Sequence, residues 1–308
     1  SPDTMWFKNL QLHRLPVPWH MTPEEFADQL RSRLFQPCGG LNRESRGWIP
    51  PRGDERLVYA AHGHWLIALG MEQKLLPSAV VNQEAKVRAA EIEARMGVAP
   101  GRKRMKELKE EIFDELLPRA FSRYFTTFAW VDPVNGWLVV DASSPAEDEA
   151  VMEVMKQALD EFPFRKLETA RSPASAMTEW LNTQEPPSGF TIDRDCVLQS
   201  PLEEKATVRY THHPLDTPEV RKHLADGKVP TRLAMTWQDR VSFELTEQLE
   251  VKKVAFLDIA RGEQSEDHDS EEERFEADFV LMTALLSNFL PDLMEALGGE
   301  KAAIGQAA

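Results

Sequence analysis

Cysteine is scarce in this chain of 308 residues: only Cys38 and Cys196 occur, far apart and in no CxxC pair. Two cysteines so placed suit buried or free thiols in a reducing compartment rather than a disulfide framework. Long apolar runs are also missing. No stretch is expected to reach the ~18 residues that a membrane-spanning helix needs. No charged leader with an apolar segment opens the chain, so the expected location is the cytoplasm. Ser1–Thr4 stand before Met5 and read as an expression scar outside the fold. The GxxxxGK(S/T) loop, a strand–GxGxxG–helix and a GxSxG elbow are all absent. Positive charge is the minority sign, with 36 Lys and Arg residues against 51 Asp and Glu, a formal net charge of −15. A protein basic over its whole surface is therefore excluded. A local cationic site is not, because fields decay over about 8 Å at physiological salt.

The charge that is present is segregated. Gly101–Lys109, GRKRMKELK, is strongly basic, whereas Gly262–Asp278, GEQSEDHDSEEERFEAD, is heavily acidic. Near the basic run, Arg119 and Arg123 flank Phe121 in RAFSR, and further cations stand at Lys74, Lys228, Arg232 and Arg240. Basic side chains at this density can contact phosphates without reading bases. The competing readings are stems lying over apolar surface, or partners for nearby carboxylates.

The periodicity predicts an α+β fold. Trp6–Leu15 alternates as a half-buried strand, and Thr22-Pro23-Glu24-Glu25 carries a cap, a proline at the first helical position and a capping-box glutamate. A helix is expected from there to about Phe35, then strands over Leu57–Ala61 and Trp65–Leu69. Ala79–Met96 and Arg102–Leu117 are rich in good helix formers and separated by GVAPG. Their apolar positions, Val80, Val87, Ile92 and Met96, then Met105, Leu108, Ile112 and Leu116, form narrow stripes. Such stripes predict a projecting antiparallel helical hairpin with arms of roughly 24–27 Å that seeks a partner. Strands follow at Arg123–Val131 and Trp137–Asp141 around Asn135-Gly136, a hairpin signal. Ser144-Pro145 opens the next helix. Ala170–Gly189, rich in Pro, Ser and Thr, suggests a boundary near Thr169. Beyond it come weak strands around Phe190–Ile192 and Thr207–Thr211, and a short helix opened by Thr217-Pro218 and closed by Gly227. Strands over Thr231–Trp237, Val241–Thr246 and Val251–Leu257 precede the acidic loop and a final helix, Phe275–Leu297. The expected division is a discontinuous central domain (5–77 and 118–169), a tip (78–117), a C-terminal α+β base domain (170–299) and a tail (300–308).

Nothing in the pattern points to catalysis. His62 and His64 could share one strand face, but no third ligand is evident, so neither a metal nor a cofactor is expected. The acidic run lacks the spacing of an EF-hand. Carboxylates are plentiful, yet no rule selects an acid/base couple among them.

Trp6-Phe7-Lys8-Asn9-Leu10, LLPRAFS (Leu116–Ser122), WVDPVNGWLVVD (Trp130–Asp141) and Gly227-Lys228-Val229 recur in one known family. So do Trp237-Gln238 with Arg240, FEADFVLMT (Phe275–Thr283) and EALGG (Glu295–Gly299). From Met5 to Gly299 the chain resembles the RdgC family of bacterial recombination-associated proteins. The resemblance implies a noncatalytic protein that binds single- and double-stranded DNA with little sequence preference. It further implies a nucleoid-associated homodimer, closed as a ring around DNA, that restrains RecA-promoted strand exchange. One ring contact would come from the helical tips and the other from the base domain. A basic bore inside an acidic exterior would reconcile a net charge of −15 with a polyanionic partner.

Carried onto these residues, the DNA site comprises Lys74, Arg102, Lys103, Arg104, Lys106, Arg119, Arg123 and Lys228. The loop Thr211–Pro214 adds His212 and His213, where some relatives carry lysine. The dimer contact falls on Leu108, Ile112, Leu116 and Phe121, with Phe121 buried at the hinge between tip and sheet. The competing functional readings are a metal-dependent DNA-processing enzyme and a protein–protein scaffold.

Overall fold

The computed structural model describes residues 6–258 and 270–301. β1 (Leu10–Arg14) is followed by α1 (Pro23–Leu30), β2 (Glu44–Ile49), β3 (Tyr59–Ala61) and the long β4 (His64–Leu75). Two helices come next, α2 (Ser78–Met96) and α3 (Arg102–Leu116), then β5 (Phe121–Asp132), β6 (Trp137–Asp141), α4 (Pro145–Ala158) and the short β7 (Arg165–Lys166). The remainder is α5 (Pro173–Thr183), β8 (Phe190–Gln199), β9 (Thr207–Tyr210), α6 (Pro218–Ala225), β10 (Val229–Trp237), β11 (Val241–Thr246), β12 (Val251–Phe256) and α7 (Glu271–Ala296). Ser1–Thr4 and the first part of the acidic run, 262–269, lie outside the described residues.

The strands form one twelve-stranded sheet in the order β2-β4-β5-β6-β1-β12-β11-β10-β8-β9, with β3 beside β4 and β7 beside β1. Every pairing between these strands is antiparallel, and an isolated parallel bridge ties Leu34 to Trp48 of β2. The sheet crosses the sequence boundary expected near Thr169 through one register pair, Leu10 with Val251, supported by Val254 N–H donating to the Lys8 carbonyl at 2.8 Å.

Burial on both faces explains the unbroken apolar runs in the middle of the sheet. Trp65, Ile67 and Leu69 of β4 face α1 and α4, with Phe26, Leu30, Val151 and Met155 among their neighbours. Leu66 of β4, Trp130 of β5 and Val139 of β6 face the opposite way, into a larger core closed by Phe279, Met282, Leu286 and Phe289 of α7. That core continues under β8, β10, β11 and β12, where α5 and α6 join it. The other face of β10 and β11 carries Arg232, Thr236, Ser242 and Glu244, so strict alternation returns there.

Local signals place most of these elements. Thr22 caps α1 with its hydroxyl accepting from Glu25 N–H, while Glu25 accepts from Thr22 N–H. Helix α1 is shorter than expected: it ends at Leu30 and runs on as a 3₁₀ turn, Arg31–Arg33. In the β5–β6 turn the Asp132 carboxylate accepts from the N–H groups of Val134 and Asn135 at 3.1 and 3.0 Å. Gly136 has φ +79°, and a Cβ there would sit 2.4 Å from the Leu15 carbonyl oxygen, so only glycine fits.

Three features depart from the sequence reading. Helix α5 lies inside the segment taken as a boundary: Ser172 accepts from Ser175 N–H and Pro173 opens the helix, the same start used by α4. Strand β2 was not expected, because GWI is too short a pattern without its partner β4. Helix α7 begins at Glu271, so the end of the acidic run is helical, its three glutamates stabilised by the positive end of the helix dipole. By length and composition α7 could cross a membrane, contrary to the expected absence of such a run; half of its most apolar window is buried in the core.

Candidate nucleic-acid interface

Helices α2 and α3 pack side by side around a small core of their own, Val81, Ala85, Leu108 and Ile112. Residues 97–101 join them, with Gly97 left-handed at the end of α2. The expected stripe is thus partly reassigned. Leu108 (3% exposed) and Ile112 (0%) are consumed inside the helix pair, and Leu116 is packed at its margin. They are not a free apolar face. On α2 the small Ala85 lets the helices approach, which turns Val80 and Val87 outward.

The start of α3 concentrates positive potential. Arg102, Lys103, Arg104 and Lys106 are exposed, no acidic side chain occupies the first turn, and Gly101 supplies no side-chain cap. Uncapped N–H groups and the helix dipole add to these charges, an arrangement suited to a phosphate. Arg104 is partly committed, pairing with Glu111 at 2.8 Å and Glu107 at 3.6 Å. Arg102, Lys103 and Lys106 make no ion pair with a described residue.

At the foot of the helix pair, β4 and β5 extend as a ribbon in which Lys74 opposes Ser122, Gln73 opposes Arg123 and Leu75 opposes Phe121. Lys74 Nζ donates to the Ala120 carbonyl at 3.4 Å. Arg119 is exposed, and Arg123 lies over the Phe125 ring at 4.0 Å. Neither forms an ion pair within 4.0 Å of a described carboxylate, although the Arg119 charge is among the causes that hold Glu115 below the usual glutamate pKa, after its hydrogen bond from Arg88. Phe121 is not buried. It is 86% exposed, opposite Leu75 (46%), so the hinge aromatic faces outward, while Tyr124 (65%) lies on the other face of the ribbon with Ser122 and Glu72. Beneath the ribbon, the Glu72 carboxylate accepts from Ser122 Oγ and Cys38 N–H, both at 2.6 Å. The Ser122 hydrogen bond, then that of Cys38, holds Glu72 below the usual glutamate pKa.

His212 and His213 sit elsewhere, at the opposite end of the strand order. Between Cys196 and Ile192 the register of β8 against β10 jumps, and Asp193, Arg194 and Asp195 bulge outward. The bulge grips the loop: His212 N–H donates to Asp195 Oδ1 at 2.7 Å, and His213 N–H donates to the Arg194 carbonyl at 3.0 Å. The His212 ring is exposed, with Nδ1 4.0 Å from Asp195, while His213 packs on Tyr210 at 5.3 Å between ring centroids. Lys228 is half-buried at the entry to β10. Arg232 and Lys253 are tied to Glu244 at 3.5 and 2.8 Å.

The structure therefore gathers Lys74, Arg119 and Arg123 at one ribbon, leaves the α3 cations at the far end of the helix pair, and sets the histidines and Lys228 on β8–β10. Arg43, stacked over Phe113 at 4.0 Å and linked through its carbonyl to Lys74 N–H, joins the ribbon group. Its isolated position in the sequence carries no signal. His64 is occupied: its Nδ1 accepts from Trp130 Nε1–H at 3.1 Å, and burial pushes its pKa down. Among the described residues no three His, Cys, Asp or Glu side chains are grouped to hold a metal.

Residues 5–300 match the family model described as "Putative exonuclease, RdgC". The chain belongs to the RdgC family. A relative in Dechloromonas aromatica, "Recombination-associated protein RdgC", is 53% identical over 299 residues, covering 96% of this chain and 98% of its own. Similarly named relatives in a Janthinobacterium species and in Cupriavidus necator are 51% and 50% identical, covering 96% and 97% of this chain and 99% and 100% of theirs. RdgC-family membership thus extends over both halves of the sheet and the helix pair between β4 and β5.

Proposed function

We propose that this protein binds single- and double-stranded DNA without sequence preference, as a noncatalytic homodimer that closes into a ring and restrains RecA-promoted recombination. The observation that carries the reading is the exposed start of α3. In a chain of net charge −15, Arg102, Lys103 and Lys106 stand together without a described carboxylate partner. Phosphate is the anion that such a surface suits, and the relatives' shared name supplies recombination as the process. Lys74, Arg119, Arg123 and Lys228 extend the proposed contact, and the two histidines contribute ring N–H donors. Arg104 contributes less, being engaged with glutamates.

In this reading the helix pair projects as a tip, and one dimer contact is made by exposed apolar groups, Phe121 with Leu75, Val80 and Val87. The second contact lies in the residues of 170–299. A nucleoid-associated protein of the cytoplasm is the resulting picture. Duplex binding measured across a salt series, together with the sedimentation of the free protein, tests it. A steep loss of affinity with salt, equal for unrelated sequences, and a dimeric mass are expected. A flat salt response or a monomer at micromolar concentration overturns it.

The description attached to the family model favours one second reading, an exonuclease. End-labelled DNA incubated with magnesium and homogeneous protein separates the two: progressive shortening establishes the enzyme, and intact DNA the binding protein.

A further inference from the structure

The sheet divides along one edge of β1. Leu10 pairs with Val251 of β12, whereas His13 and Arg14 pair with Lys166 and Arg165 of β7. One strand edge cannot serve both neighbours over the same residues. The β11–β12 turn (Gln248–Glu250) therefore parts from β7, and α4 with the segment after it forms a further wall. A cavity of about 620 Å³ lies between them.

Its lining is chemically specific. Leu12, Met152, Phe162, Phe164 and Leu249 supply apolar wall, with the two phenylalanine rings edge to face at 5.6 Å. Among these stand four largely buried polar residues, Gln11, His13, Asp148 and Glu250; the side chains of His13 and Asp148 are 9% and 13% exposed. They are held in place. His13 Nε2 lies 2.8 and 2.9 Å from the two Asp148 oxygens, and Gln11 Nε2 donates to Glu250 Oε2 at 2.6 Å and to the Ala142 carbonyl at 3.3 Å. Three carboxylates, Asp148, Glu149 and Glu250, line the cavity against one ammonium, Lys166. Outside it, Lys252 approaches Glu250 only to 3.9 Å.

We propose that this cleft binds a small organic cation, a primary ammonium carried on an apolar body. The volume falls within the range of small-molecule sites, which are mostly apolar with a few oriented polar groups. The excess of carboxylates over cations in the lining disfavours nucleotides and other anions, and a neutral apolar guest would leave Glu149 and the remaining acceptor capacity of Asp148 and Glu250 unused. An ammonium gains charge-assisted hydrogen bonds from those carboxylates, and phenyl rings also accept cations on their faces. The site does not depend on the DNA-binding reading. Because its walls come from β1, α4 and β7 on one side and the β11–β12 turn on the other, an occupant also bridges the sheet at its narrowest join.

Calorimetric titration of the full chain with 2-phenylethylamine and, separately, with 2-phenylethanol tests the proposal, since the two probes share a shape and differ in charge. The amine is expected to bind at least tenfold more tightly and to raise the melting temperature. Glu149→Gln, at an exposed position of α4, should weaken the amine several-fold with an unchanged melting temperature of the free protein. Met152→Trp, which fills the cavity, should abolish binding by either probe while the circular dichroism of the fold persists. No binding of the amine, equal binding of amine and alcohol, or amine binding untouched by both variants overturns it.

Discussion

Arg14 on β1 and Glu300, just past α7, form an ion pair in which the Arg14 Nε–H is shared between the two carboxylate oxygens at 3.1 and 3.0 Å. Arg165 adds a third contact at 2.8 Å, and the Arg14 guanidinium also lies 4.0 Å from the Trp137 ring centroid. Backbone bonds continue the join, Ala170 N–H to the Gly299 carbonyl and Lys301 N–H to the Glu168 carbonyl. The end of the final helix is thus fastened to the first strand. Glu300→Gln should lower stability by about 1 kcal/mol, because Arg14 and Glu300 are largely shielded and Glu300 also accepts from Arg165. Truncation before Gly299 should cost more, since the backbone bonds go too. Thermal melts of both variants check this, and an unchanged melting temperature for the truncation would show the join to be inert.

Asp141 gives a pH dependence of definite sign. Burial pushes its pKa up to about 6, against the lowering effect of hydrogen bonds from Asn9 and Lys8 N–H at 2.9 and 3.1 Å. Between its ordinary 3.8 and about 6 the native state holds more protons than the unfolded chain. The contribution of this group is therefore fully present below pH 3.8 and lost as pH rises through 6, by about 3 kcal/mol at most. Asp141→Asn should remove that slope and leave the protein at least as stable as wild type at pH 7. Urea titrations at pH 4, 5, 6 and 7 provide the comparison; a variant with the wild-type slope would assign the pH dependence elsewhere.

Ile112 and Phe121 should separate folding from assembly. Ile112→Asp puts an unpaired charge into the core between α2 and α3 and should cost roughly 3–5 kcal/mol, enough to melt the helix pair. Phe121→Ser removes an exposed ring and should change the stability of the dilute protein by less than about 0.5 kcal/mol, while weakening self-association. Circular dichroism reads the first effect and sedimentation velocity the second. Wild-type association by Phe121→Ser would remove this ring from any interface.

Replacing Arg119 and Arg123 together with glutamine should lower duplex affinity equally for all sequences. The log–log salt slope should shrink by about 0.9 for each phosphate no longer neutralised. The melting temperature should hold, since neither arginine is paired with a described carboxylate. Unchanged affinity would exclude the ribbon from the DNA contact.

Several elements were legible because their determinants are neighbours in sequence. The Thr22 capping box, the Ser144-Pro145 start of α4 and the Asn135-Gly136 turn each act within about four residues. The Ser172-Pro173 start of α5 is equally local, but proline and serine are also linker residues, and composition alone could not rank the two roles. Stripe assignment on α2 failed for a different reason. Val80 and Val81 are both apolar, and only the packed partner decides which one faces inward.

Charge segregation, the alternation of strand and helix and the family relationship are properties of the residue order, because each depends on residue type at short or recurring spacing. Which cations stand free and which are spent on glutamates, the outward turn of Phe121 and the gripping of His212 by Asp195 are set by strand register and helix contact across long separations. The cleft beside β1 belongs wholly to that second class. It exists because β7 and β12, far apart in sequence, compete for one strand edge and cannot both occupy it.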